Sequence, residues 1–138
     1  MPRKSLKLIL LLLALNFKMH AQVLKETEII GTWKVLNIGT IKGASKEEKN
    51  AAKQLINAFH NAKFKFTEDR HFSFDFEIED MSIRNGYWKL NNSSKTYIIQ
   101  DQKDKTAILM EIDAKKVNGK ILFKLSETLI VLEVEKEY

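Results

Sequence analysis

The chain has no cysteine, one proline and five glycines in 138 residues. Without a thiol there is no disulfide framework, no thiolate nucleophile, no thiolate metal ligand and no cysteine for bacterial lipoprotein acylation. Pro2 stands near the amino end, so no later strand is interrupted by a residue lacking a backbone N–H. The glycines form no phosphate-binding loop, and no Gly-x-Ser-x-Gly elbow occurs. Long apolar runs are scarce as well. Leu8–Leu15 is an unbroken run of eight residues, too short to cross a hydrocarbon core of ~30 Å as a helix.

That run has the surroundings of an export signal. Arg3, Lys4 and Lys7 precede it, polar residues follow from Asn16 to His20, and Ala21 offers a small residue for cleavage. A signal peptide is therefore expected over residues 1–21, with the product secreted or periplasmic and retaining no stable membrane span. The remainder, 22–138, is 117 residues long, enough for one domain. Loss of Arg3, Lys4, Lys7 and Lys18 takes the 23 basic residues to 19, against 18 acidic. Basic and acidic residues then alternate with no broad basic field, and no nucleic-acid partner is expected.

Period-two patterning dominates from residue 30 onward. Gln22–Glu28 is polar and aperiodic, read as a lead outside the strands. A first strand is expected over Ile30–Ile41, with Trp33 and Val35 on one face. Ser45 with Glu48 forms a capping box that opens a helix to Ala62, its apolar stripe carried by Ala51, Ala52, Leu55, Ile56 and Phe59. The clearest hairpin follows. Phe64 and Phe66 alternate with lysines, Glu68-Asp69-Arg70 turns the chain, and Phe72, Phe74, Phe76 and Ile78 resume the apolar face. Pairing Phe66 with Phe72 also brings Phe64 to Phe74 and Lys63 to Asp75, so aromatic and charge pairing select one register. Strands over 83–90, 95–101, 106–113, 120–125 and 128–135 complete the chain. Asn118-Gly119 is a type I′ hairpin signal between two of them. The fold class is all-β: an eight-stranded antiparallel up-and-down barrel with one α-helix between the first and second strands, the number of strands at which a barrel holds side chains or one small ligand.

Gly31-Thr32-Trp33 at the first strand, the Phe-x-Phe hairpin and the ensuing meander resemble the lipocalin-like (calycin-type) domains of exported bacterial proteins. The resemblance implies that Gly31 and Trp33 form a structural plug at the closed end of the barrel. It also implies a small apolar or amphipathic ligand inside. In lipocalins an arginine after the last strand covers the matching tryptophan; this chain ends Val134-Glu135-Lys136-Glu137-Tyr138, without one. The helix after the first strand is placed as the helical lid of fatty-acid-binding proteins is.

Under that reading the ligand-binding residues are Leu55, Phe59, Phe64, Phe66, Phe72, Phe74, Phe76 and Trp88. The same rings would serve equally to fill the barrel, which would then act as an interaction or structural module of the cell envelope. Exposure of Leu122, Leu129 and Val131 would favour that alternative. No catalytic residue, metal site or cofactor is expected. His60 and His71 are not at helical i, i+4 spacing, Asp69 and His71 belong to a solvated turn, and Asp101 and Asp104 lack the pattern of an EF-hand.

Overall fold

The computed structural model describes residues 21–40, 43 and 45–138. The expected signal peptide lies outside the described residues except for Ala21, and so does the expected end of the first strand at Ile41. The polar lead is part of the fold. Gln22–Val23 is a short strand, β1, and Glu26–Ile29 a single helical turn, α1. The Glu28 carboxylate accepts the Lys25 N–H at 3.1 Å. Leu24 and Ile29, the apolar residues of this segment that face inward, are buried.

The first barrel strand, β2 (Gly31–Thr40), is followed by the main helix, α2 (Lys46–Ala58). The remaining strands are β3 (Lys63–Phe66), β4 (His71–Asp75), β5 (Ile83–Asn91), β6 (Thr96–Asp101), β7 (Ile108–Val117), β8 (Lys120–Leu125) and β9 (Ile130–Glu137). From β2 to β9 each pairs antiparallel with the next, and β9 returns to β2, closing an eight-stranded barrel. The helix falls between the first two barrel strands, as expected, but after the second strand of the chain, because β1 precedes them. β1 pairs with Lys115 and Lys116 of β7, along the edge left beyond the β6 pairing at Ile112. Such an edge would otherwise present unpaired backbone groups.

Local chemistry explains the elements. The capping box of α2 is formed: Glu48 N–H donates to Ser45 Oγ at 3.1 Å, and Ser45 N–H to the Glu48 carboxylate at 3.3 Å. The helix stops at Ala58 rather than Ala62. Phe59 N–H turns back to the Ile56 carbonyl, and Phe59 and Ala62 are both buried as the chain descends into β3. The β3–β4 register pairs Phe66 with Phe72, Phe64 with Phe74 and Lys63 with Asp75. β4 ends at Asp75, earlier than its alternation suggests. Ser82 Oγ bonds both the N–H and the carbonyl of Phe76, a 3-10 turn follows at Glu79–Met81, and Ile78 is left outside the core. At the β7–β8 turn Asn118 and Gly119 both have positive φ, 56° and 79°, as a type I′ turn requires.

Candidate ligand cleft at the barrel mouth

The two ends of the barrel differ. At the closed end α1 lies across the opening and Trp33 is buried beneath it, its indole N–H donating to the Ile29 carbonyl at 2.8 Å. Lys136 extends over this ring, its Nζ 5.1 Å from the ring centre and 3.0 Å from the Glu28 carbonyl. Gly31 has φ +140°, and a Cβ there would come 3.1 Å from Lys136 Cε. Gly31 and Trp33 are thus linked through Lys136, which lies against the glycine and over the indole. On the opposite wall Arg70 stacks 4.4 Å above Trp88 and pairs with Glu26 of α1 at 2.6 Å. The Tyr97 hydroxyl donates to the Leu24 carbonyl. Burial, reinforced by Glu26 and Glu28, pushes this phenol well above the usual tyrosine range.

Above the plug the barrel is packed with rings. Phe64, Phe66, Phe72 and Trp88 are each no more than 1% exposed. Phe66 meets Phe72 at 4.9 Å and Trp88 at 5.7 Å, and Phe123 bridges Trp33 and Phe64 at 5.5 and 5.4 Å. These separations suit offset and edge-to-face packing. Gly86 makes room for them: a Cβ there would come 3.0 Å from the Phe72 carbonyl oxygen and 3.1 Å from its ring. Four of the eight expected ligand-binding residues are therefore placed in the filled lower half, against one another.

The other four, Leu55, Phe59, Phe74 and Phe76, come together at the mouth, where they line one wall of a half-open cleft of about 710 Å³. Phe59 anchors the end of α2 by packing on Phe76 at 4.6 Å and Phe74 at 6.1 Å. Ile83, paired across the strands with Phe74, and Met110, Leu125 and Ile130 add to the apolar lining. Sequence reading missed these four as site residues. Each lies in a strand it had drawn, on the inward face, and the signal was only their nearness to strand ends at the mouth. Ile108 stands at the rim, 60% exposed. Nothing covers the cleft among the described residues: α2 flanks it through its second half, and its first turns point into solvent.

The polar candidates have local duties. The Asp69 carboxylate is held below the usual range first by the Thr67 hydroxyl and then by the His71 N–H, which closes the β3–β4 turn. Asp104 is lowered likewise by the Thr106 hydroxyl and N–H. Asp101 accepts the Lys103 N–H at 3.1 Å. Leu122, Leu129 and Val131 are half-buried. Leu122 and Val131 border a shallow groove of about 530 Å³ on the outer wall, beside Gly39, Lys124 and Glu133. Among the described residues no helix is long and apolar enough to cross a membrane.

Compared with protein-family models, curated proteins and solved structures, the chain matches none.

Proposed function

We propose that this chain is an exported, lipocalin-like binding protein, without catalytic activity, that takes a small apolar or amphipathic molecule into the mouth of its barrel. The observation that carries the reading is the cleft itself. It is bounded by apolar side chains from α2 and several strands, sits on a rigid ring-packed floor, and has a volume within the range of ~300–1,000 Å³ common to small-molecule sites. Lys136 over Trp33 supports the lipocalin-like reading, because a cation on that indole does what the arginine does in the family. The groove beside Leu122 and Val131 favours the alternative, an envelope interaction module, but it is shallower and more open than the cleft.

Native mass spectrometry of protein recovered from its own host, followed by solvent extraction, tests the binding reading. A co-purifying apolar molecule, or uptake of an uncharged environment-sensitive fluorophore that is blocked by Met110→Trp, is the expected result. A homogeneous ligand-free mass together with no uptake would overturn it and leave the interaction module.

A further inference from the structure

The charge around the cleft narrows the ligand class, given the binding reading just proposed. Its lining contains four carboxylates, Asp80, Asp101, Glu111 and Glu127, and one cation, Arg84. Arg84 is already engaged, its guanidinium 3.3 Å from the Glu79 carboxylate. Glu111 is also engaged, since it accepts the Thr96 hydroxyl at 2.5 Å. Asp80, in the 3-10 turn, and Glu127, in the β8–β9 turn, accept no side-chain or turn hydrogen bond among the described residues. Asp101, at the end of β6, has one oxygen taken by the Lys103 N–H and the other facing the rim of the apolar walls. The lysines of α2 at positions 46, 49 and 53 are exposed and do not line the cleft.

We infer that the cleft selects amphiphiles with a cationic head, such as single-chain alkyl amines, over the corresponding carboxylates. The apolar tail lies between Phe59, Phe74, Met110 and Ile130, and the ammonium reaches the carboxylates at the rim. An alkanoate would place its carboxylate beside like charges at the rim, where Asp80 and Glu127 are exposed and the repulsion is open to screening by salt. The same walls accept an uncharged alcohol of equal length, so the head group alone decides the order.

Three probes of one chain length, dodecylamine, dodecanol and dodecanoate, test this at pH 7 by displacement of an uncharged fluorophore below their micelle concentrations. The amine is expected to bind at least about tenfold more tightly than the carboxylate, with the gap closing as salt rises from 20 to about 500 mM. Asp101→Asn with Glu127→Gln should remove most of that gap and leave dodecanol unchanged. Equal or stronger binding of dodecanoate, or a gap indifferent to salt and to the two substitutions, overturns the charge selection while leaving the apolar cleft intact. Failure of all three probes, dodecanol included, overturns the binding reading itself.

Discussion

Trp33 shows how much a single side chain supports. It is buried beside α1, packed at a tilt on Phe123, bonded to Ile29 and covered by Lys136. Trp33→Ala should lower stability by ~3–5 kcal/mol, as large-to-small core changes do. Trp33→Phe should keep most of the packing and lose ~1 kcal/mol with the indole hydrogen bond. Chemical denaturation midpoints check both, and an unchanged midpoint for the alanine variant would place the ring on the surface. Tyr97 supplies a pH signature. Its folded phenol is held protonated well above the usual range by burial first and by Glu26 and Glu28 next, with Arg70 opposing. The unfolded chain loses that proton near pH 10, so the contribution of Tyr97 is complete below pH 10 and falls as pH rises beyond it. Tyr97→Phe should cost ~1 kcal/mol at neutral pH through the lost bond to Leu24, and should flatten the decline in stability above pH 10. The burial of Trp33 was legible because Gly-x-Trp is a local pattern. That of Lys136 was not. A lysine in a charged tail carries no mark of what it covers, and it was an arginine that the resemblance implied.

Among elements, the strands were the most legible, because one buried face imposes a period that the residues display directly. The β3–β4 hairpin shows this best: phenylalanines and the Lys63–Asp75 pair admit one register, and the structure adopts it. Errors gathered where a tertiary contact ends an element. Phe59 and Ala62 are pulled into the barrel and cut α2 short, and the Ser82 hydroxyl ends β4 before Ile78. Gly86 was invisible as a packing device because its function is the space it leaves. Gly86→Ala should cost ~1–3 kcal/mol through overpacking against Phe72 and Ile99; thermal melts check it. The helix α2 is held differently from the strands. Its first half, Lys46–Ala51, is exposed, and its hold on the barrel is concentrated at Ala52, Ala58 and Phe59. It should therefore open independently of the barrel. Ser45→Ala, by removing the cap, should cost the helix ~1 kcal/mol. Hydrogen-exchange mass spectrometry should then show faster exchange over residues 46–58 with β3–β6 unaffected. Equal acceleration throughout would mean that helix and barrel open together.

For the whole molecule, the decisive division runs along the barrel axis, from a ring-filled base beside α1 to an open mouth. This is why the candidate site was only half legible. Alternation tells which side chains point inward but not how far along the axis they lie, so Phe64, Phe66, Phe72 and Trp88 were indistinguishable from Phe74 and Phe76. The base was less legible still. Residues 22–29 have no period, because a two-residue strand and one helical turn are too short to show any, yet they bury Leu24 and Ile29 in the barrel core. Burial of two such side chains is worth ~1.5–3 kcal/mol each, and their removal would also strip Trp33 and Tyr97 of their acceptors, the carbonyls of Ile29 and Leu24. Cleavage after Ala21, as proposed, would keep all of this, since the mature chain would begin with β1. A chain starting at Gln22 should accordingly match the full-length protein in its denaturation midpoint, whereas one starting at Ile30 should lose ~3–6 kcal/mol. The mouth lies at the other end, so below its lowered transition the shortened chain should still take up an uncharged apolar probe. If it were fully as stable as the longer chain, α1 would be an appendage rather than the floor of the barrel. If it were folded but unable to bind, the separation of base from mouth would be wrong.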